Sequence, residues 1–185
     1  FIKRFKRKID SETLNQLIDI DPTNSQSLVR LAQLYTLNGN NEHALKILND
    51  VNKNDPKYAI GWENTARLAI RMKDLATAKS AIENLDKLEG QHMIAIFLEG
   101  EVASFTGKDD DAFALYSKVI EADPSSPLAE HALYSMLNAH SKPDELKMVI
   151  DYIATLKTDS PYVNTVLGEC YMKLGDIDSA RTAFD

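Results

Sequence analysis

The sequence lacks a second cysteine for an intramolecular disulfide and lacks a long apolar run that could span a membrane. Cys170 is the only cysteine among 185 residues, which excludes an intramolecular disulfide. With 7 glycines and 6 prolines, turn-forming residues are scarce. No apolar run approaches the roughly 20 residues that a membrane-spanning helix needs. The composition therefore favours a helical protein whose core consists of ordinary apolar side chains.

Motifs that carry chemistry are missing as well. The sequence has no glycine-rich phosphate-binding loop and no Gly-x-Ser-x-Gly motif. The histidines, His43, His92, His131 and His140, share no spacing that is typical of a metal site. Cys170 has no base at helical spacing that would make it a nucleophile. We therefore expect no enzyme activity, no catalytic residue, no cofactor and no bound metal.

The charge is unevenly distributed. The formal net charge is -7, yet the first eight residues, FIKRFKRK, are strongly basic. The acidic remainder disfavours a nucleic-acid partner, because nucleic-acid binding requires a basic face. The basic segment is interpreted either as the exposed end of an upstream helix or as a membrane-surface segment anchored by Phe1, Ile2 and Phe5. A membrane tether upstream of Phe1 therefore stays open.

What the sequence does contain is an internal period of 34 residues. The successive starts, each 34 positions after the last, are Ser25, Ala59, Met93, Pro127 and Pro161. Behind each start, apolar residues recur at helical spacing in two segments, and the intervening turn holds Gly39, Gly107 or Gly175 in three of the units. A fixed period of this length indicates stacked copies of one two-helix unit.

The pattern predicts ten helices and no strand. Their expected ranges are 25–38, 42–53, 59–72, 75–87, 93–106, 109–122, 127–140, 143–156, 161–174 and 177–185. Small residues recur at two positions of most units, as with Ala32 and Ala44, so that paired helices can approach closely. In the fourth unit Tyr134 and Leu146 occupy both positions, and we expect its two helices to lie further apart.

The fifth unit shows the recurring motif most fully, with Leu167, Gly168, Tyr171, Ala180 and Phe184 at fixed offsets. Together with the length of the period, this motif resembles the tetratricopeptide repeat (TPR). The resemblance covers residues 25–185 and implies an all-α right-handed α-α superhelix, a TPR solenoid, of five repeats, the last one truncated. Residues 1–24 are expected to form a basic segment plus a partial repeat or capping helix. The parent protein is expected to extend beyond both ends.

In this family the first helix of each repeat lines a concave groove, mainly through its second, fifth, ninth, twelfth and thirteenth positions. The resemblance therefore implies a peptide groove formed by Ile60, Glu63, Arg67, Ile70, Arg71, Ile94, Phe97, Glu101, Phe105, Leu128, His131 and Tyr162, with Val29, Leu37 and Met172 adding to its surface. Four apolar members, Ile60, Ile94, Phe97 and Leu128, are expected to be partly exposed. An apolar stripe with charged flanks suits an amphipathic helix or an extended apolar peptide.

Some family members clamp a C-terminal carboxylate with Lys, Asn and Arg side chains from three successive repeats. The matching positions here hold Val29, Gln33, Asn64, Ile94 and Leu98. Only Asn64 has the required residue type. A chaperone-type carboxylate clamp is therefore not expected.

The resemblance implies a non-enzymatic scaffold that binds a protein or peptide partner in the groove and acts in assembling a bacterial complex. Two alternatives remain open. One is the recognition region of a larger repeat-bearing enzyme, such as a glycosyltransferase, and the other is a self-associating structural module or homo-oligomer. Other parts of the parent chain are a further candidate to cover the groove. The location is expected to be cytoplasmic or periplasmic, with membrane association left open.

Overall fold

A computed structural model describes residues 24–140 and 142–185, which form ten α-helices and no strand. The helices are α1 (Ser25–Leu37), α2 (Asn41–Asn54), α3 (Ala59–Met72), α4 (Leu75–Asp86), α5 (His92–Phe105), α6 (Asp109–Ala122), α7 (Pro127–Ala139), α8 (Pro143–Thr155), α9 (Pro161–Leu174) and α10 (Ile177–Phe184). Every boundary lies within one residue of its predicted position. The partial repeat or capping helix predicted before residue 24 lies outside the described residues.

Several first helices end in a left-handed residue that turns the chain into the second helix. Gly39 and Gly175 have φ angles of 83° and 79° after α1 and α9. The second repeat has no glycine at this point, and Lys73 adopts the same conformation with φ 65°. A side chain in this region costs roughly 1–2 kcal/mol. The turn between α3 and α4 is therefore strained relative to the glycine turns.

Two second helices begin behind an aspartate cap. Asp74 Oδ1 accepts a hydrogen bond from the backbone N–H of Thr77 at 3.1 Å, and Asp176 Oδ1 accepts one from Ser179 at 3.1 Å. These bonds satisfy donors that the first turn of a helix leaves open. Hydrogen bonds from the side chains of Thr77 and Ser179, followed by those from their backbones, lower the pKa of both carboxyl groups.

Backbone packing divides the described residues into two compact units, with the boundary between Gln91 and His92. Unit 1 contains repeats one and two as α1–α4, and unit 2 contains repeats three to five as α5–α10. In unit 1 the small residues predicted at helix contacts, Ala32, Ala44, Ala66 and Ala78, are no more than 1% exposed. A methyl group at each position lets the paired helices pack closely, so a larger side chain would force them apart.

In unit 2, glycine takes a small position where the second helix supplies an aromatic ring. Gly100 of α5 faces the ring of Tyr116, and Gly168 of α9 faces the ring of Phe184. A Cβ atom on residue 100 would lie 2.6 Å from Tyr116 Cε1. Each glycine therefore makes room for a ring that would not fit over a larger residue.

The fourth repeat departs from the pairing in the others, as expected from its two large residues. The backbones of α7 and α8 approach each other far less closely than the paired helices of the other four repeats. Leu146 is 1% exposed, so a large side chain is buried at a position where the other repeats have alanine. Helix α8 also packs on α6, where Tyr152 donates its hydroxyl to the Ser117 carbonyl at 3.2 Å and its ring meets Phe113 edge-on at 5.5 Å.

Candidate functional site

Every residue predicted for the groove lies on the first helix of its repeat. On α3 of unit 1 are Ile60, Glu63, Arg67, Ile70 and Arg71. On α5, α7 and α9 of unit 2 are Ile94, Phe97, Glu101, Phe105, Leu128, His131 and Tyr162. The structure therefore divides these residues between a unit 1 face, formed by α1 and α3, and a unit 2 face, formed by α5, α7 and α9.

The unit 1 face exposes large apolar side chains. Leu37 is 69% exposed and Ile60 is 46% exposed, in agreement with the exposure expected of Ile60. The expectation that Val29 contributes to this surface is wrong. Val29 is 2% exposed because it packs in the core cluster that contains Ala32 and Leu48.

Polar side chains join α1 to α3 across the unit 1 face. Gln33 Nε2 donates to Asn64 Oδ1 at 2.9 Å, and Asn64 Nδ2 donates to the Ile60 carbonyl at 2.7 Å. One turn further along α3, Arg67 and Glu63 form an ion pair in which Nη2 and Oε1 lie 2.9 Å apart. An ion pair this exposed contributes little to stability, so its main effect is to orient the Arg67 side chain.

A recess of about 320 Å³ opens between α1, α2 and α3. It is lined by Ala32, Gln33, Thr36, Leu37, Leu48, Asn64, Arg67, Leu68 and Arg71. The buried side chains of Leu48 and Leu68 make its floor apolar. Two guanidinium groups, those of Arg67 and Arg71, lie at its rim, and none of the described lining residues carries a carboxylate. The volume lies near the lower end for ligand pockets and suits one or two side chains.

Sequence reasoning left Gln33, Thr36 and Asn64 out of the groove set, although they line this recess. Gln33 and Thr36 occupy the ninth and twelfth positions of the first repeat, which are groove positions in the family. Their register could therefore have identified them. Asn64 stands at a sixth position, which is the one carboxylate-clamp position with the required residue type, and its hydrogen bond to Gln33 joins it to the face.

The unit 2 face also carries exposed apolar side chains. Phe105 on α5 is 43% exposed and Met172 on α9 is 52% exposed. Ile94 and Leu128 are partly exposed, which agrees with what the sequence led us to expect. Tyr162 is partly exposed as well, at the start of α9. Apolar side chains at the second, twelfth and thirteenth positions are thus accessible.

Phe97 differs from the other predicted members of the unit 2 face. Its side chain is 2% exposed, so the expectation of partial exposure is wrong. The ring centroid lies 5.8 Å from that of Tyr116 and 6.4 Å from that of His131. Because Phe97 fills space between these rings, it supports the face from below, whereas His131 is exposed on it.

Carboxylates at the ninth positions of repeats three and five hold phenol groups in unit 2. Glu101 Oε1 accepts hydrogen bonds from Tyr116 Oη at 2.9 Å and from Ser135 Oγ at 2.8 Å. Glu169 Oε1 accepts one from Tyr134 Oη at 3.2 Å. Burial, followed by the negative charge of the adjacent glutamate, raises the pKa of both phenols. The two glutamates therefore hold buried or half-buried side chains in place beneath the face.

Reactive and metal-binding groups are sparse in the ranges 24–140 and 142–185. There, no three His, Cys, Asp or Glu side chains lie together in a way that could hold a metal ion. No helix in those ranges is both long enough and apolar enough to cross a membrane. Burial raises the pKa of the Cys170 thiol to about 11, so the thiol stays protonated at neutral pH. Cys170 therefore serves as a small apolar residue of the unit 2 core.

Two family models, both described as the tetratricopeptide repeat, match the sequence. One covers residues 12–68 and the other covers residues 167–185. Among curated proteins, no sequence matches the chain.

Solved structures of tetratricopeptide-repeat proteins resemble this chain along most of its length. A tetratricopeptide repeat protein from Parabacteroides merdae has a TM-score of 0.66 at 16% identity, covering 94% of this chain and 69% of that one. Yeast Tom70 has a TM-score of 0.69 at 16% identity, covering 95% and 38%. YrrB has a TM-score of 0.55 at 12% identity, covering 94% and 90%. At these identities the likeness shows the fold alone, and this chain spans little more than a third of Tom70.

Four observations indicate tetratricopeptide repeats: the repeat period, the helix pairs with small residues at their contacts, the family models and the solved structures. They do so in both units, although the two family models match only parts of the sequence. Residues 12–68 and 167–185 match the tetratricopeptide-repeat family, and the described part of the chain has the all-α fold of tetratricopeptide-repeat proteins.

Proposed function

We propose that this chain binds a segment of a partner protein on its first-helix faces and thereby helps to assemble a bacterial complex. The general role follows from the family, because tetratricopeptide repeats are protein–protein interaction scaffolds. The choice of surface is the specific part of the proposal. It covers the unit 1 face and the unit 2 face, each as a separate docking surface.

The placement of exposed apolar side chains carries this proposal. In the described part of the chain, the large apolar residues with high exposure are Leu37, Ile60, Phe105, Met148, Met172, Ile177 and Phe184. Those on first helices, all at groove positions of the family, are Leu37, Ile60, Phe105 and Met172. Large apolar side chains exposed at these positions on both faces indicate interaction surfaces, because exposure of large apolar surface is unfavourable in water.

A structural relative supports the same kind of role. The structure of YrrB is described as that of a TPR protein with an unusual peptide-binding site. At 12% identity the likeness extends to the fold and not to the ligand. Peptide binding by the present chain therefore depends on its own exposed side chains.

Phage display of random peptides against the immobilised chain provides probes of defined sequence. Ile60→Asp places a charge on the unit 1 face at a position that is 46% exposed, and Phe105→Asp does the same on the unit 2 face at 43%. Met148→Asp is the matched control, because Met148 is 50% exposed but lies on the second helix α8. All three variants should keep their melting temperatures, since exposed substitutions change stability by within about 0.5 kcal/mol.

We expect each selected peptide to lose affinity by about tenfold or more for one of the two face variants, which corresponds to about 1.4 kcal/mol at an interface hot spot. The same peptides should bind Met148→Asp within about twofold of the unmodified chain. Peptides that tolerate both Ile60→Asp and Phe105→Asp would contradict the proposal, as would a selection that yields no binding peptide. Unfolding of Ile60→Asp would show that Ile60 belongs to the core.

A further inference from the structure

We propose that the recess of the unit 1 face accepts an acidic side chain of the partner segment, bound by the guanidinium group of Arg71, with an aliphatic neighbour of that residue packed on Leu37. This inference rests on the proposed function and specifies the chemistry of the partner. It concerns only unit 1, whose recess has contributions from α1, α2 and α3.

The recess is a cationic site on an acidic protein. The chain has a formal net charge of -7, yet the only charged side chains among the described lining residues are those of Arg67 and Arg71. Glu63 offsets the charge of Arg67, because its Oε1 accepts from Nε and pairs with Nη2, both at 2.9 Å. The positive charge at this rim therefore comes from Arg71.

Arg71 is available to a ligand. It lies four residues after Arg67 and so on the same side of α3, and its side chain is exposed. Among the described residues, none forms an ion pair or a side-chain hydrogen bond with it. A guanidinium group presents a planar fork of donors that matches a carboxylate with two parallel hydrogen bonds. An acidic side chain is thus the ligand group that complements this rim.

Shape and polarity limit what else the recess admits. A volume of about 320 Å³ takes one or two side chains rather than a whole helix. Leu37 stands 69% exposed at the edge of the recess, where an aliphatic side chain next to the acidic residue would cover it.

This site is distinct from the carboxylate clamp of the family. Arg71 occupies the thirteenth position of its repeat, and the clamp positions here lack the required Lys and Arg.

The test uses parallel phage selections of peptides with internal random positions. The targets are the unmodified chain, Arg71→Glu and Arg30→Glu. Arg30 is the matched control, since it is exposed on α1 of the same unit and does not line the recess. Peptides of the unit 1 face are those that lose binding to Ile60→Asp. Among such peptides selected on the unmodified chain and on Arg30→Glu, we expect Asp or Glu beside an aliphatic residue. Among those selected on Arg71→Glu, we expect Lys or Arg in place of the acidic residue.

Fluorescence anisotropy with one selected peptide, synthesised with an amidated C-terminus, then measures the coupling. Changing its acidic residue to the matching amide should weaken binding to the unmodified chain by about tenfold, as expected for a charge-assisted hydrogen bond. The same peptide change should weaken binding to Arg71→Gln by less than about twofold, because the partner charge is already absent. Melting temperatures verify that the Arg71 variants are folded.

The outcomes separate this inference from the proposed function. Peptides that depend on Ile60 but show no preference for an acidic residue would overturn the inference alone. An acid-to-amide change in the peptide that weakens binding equally for the unmodified chain and for Arg71→Gln would also overturn it. So would binding that depends on a free C-terminal carboxylate, or a selection in which every peptide depends on Phe105. If no peptide depends on either Ile60 or Phe105, the proposed function fails and the inference fails with it.

Discussion

At the scale of single residues, the sizes of two facing side chains compensate for each other across the helix pairs. The eighth position of a repeat holds alanine in repeats one and two, where the twenty-fourth position holds Leu48 or Ile82. It holds glycine in repeats three and five, where the twenty-fourth position holds Tyr116 or Phe184. Close packing requires this exchange of volume, because the ring occupies the space that a Cβ atom would take.

Gly100→Ala is expected to destabilise the chain by about 1 kcal/mol, and by no more than about 2 kcal/mol, in urea unfolding. The ring of Tyr116 is fully buried and its hydroxyl is bonded to Glu101, so the ring has no room to move away from the new Cβ atom. Overpacking costs roughly 1–3 kcal/mol, which exceeds the gain of about 1 kcal/mol from replacing a helical glycine with alanine.

Gly168→Ala is the matched control for this prediction. Its new Cβ atom would also meet a ring, but Phe184 is 51% exposed and can rotate outward. The helix-propensity gain should then dominate and leave stability unchanged or slightly raised. Equal losses in the two variants would show that the freedom of the facing ring does not decide the cost.

At the scale of helices, the sequence predicted the elements well because their ends are local features. Gly39 and Gly175 close first helices, Asp74 and Asp176 open second ones, and each signal acts within a few residues. The 34-residue period adds the register, since a position that faces a partner helix in one repeat faces one in the next. The boundaries of all ten helices followed from these two sources.

The candidate site was less predictable because it depends on contacts that are distant in sequence. Periodicity places Val29 and Phe97 at the margin between the core and the face, and their burial depends on which side chains meet them. For Phe97 these are Tyr116 and His131, which stand 19 and 34 residues further along the chain. Likewise, Glu101 was predicted as a groove residue, but its bonds to Tyr116 and Ser135 could not be read from a pattern.

The start of α4 yields a prediction about pH. Hydrogen bonds from Thr77, through Oγ1 at 2.6 Å and the backbone N–H at 3.1 Å, lower the pKa of Asp74 below its ordinary value of 3.8. Because the folded-state pKa is the lower one, the carboxylate contributes stability above pH 3.8, and this contribution is lost as the pH falls through the folded value. Asp74→Asn should therefore be less stable than the unmodified chain at neutral pH, and the difference should shrink in acid.

Urea unfolding at a series of pH values measures that difference. Asp151→Asn is the control, because Asp151 is exposed in the interior of α8 and caps no helix. Its difference from the unmodified chain should be small throughout. A stability difference for Asp74→Asn that stays constant as the pH falls below 3.8 would contradict the assigned role of the cap.

At the scale of the whole molecule, the chain combines five similar repeats in two compact units. In repeat proteins each repeat contacts its neighbours, so stability is approximately a sum of repeat and interface terms. A local change should then loosen the repeats around it more than distant ones. Ala44 of unit 1 and Ala112 of unit 2 provide equivalent places for such a change, since they stand at the same position of their repeats and both are fully buried.

Ala44→Leu and Ala112→Leu should each destabilise the chain by about 1–3 kcal/mol through overpacking. Hydrogen exchange followed by mass spectrometry should show the loss in different places. Ala44→Leu should raise exchange mainly in α1–α4, and Ala112→Leu mainly in α5–α10, because each disturbs the helix contacts of its own unit. Each variant serves as the control for the other. If both raised exchange uniformly along the chain, the chain would open as one cooperative whole, and the division into two units would describe its packing but not its energetics.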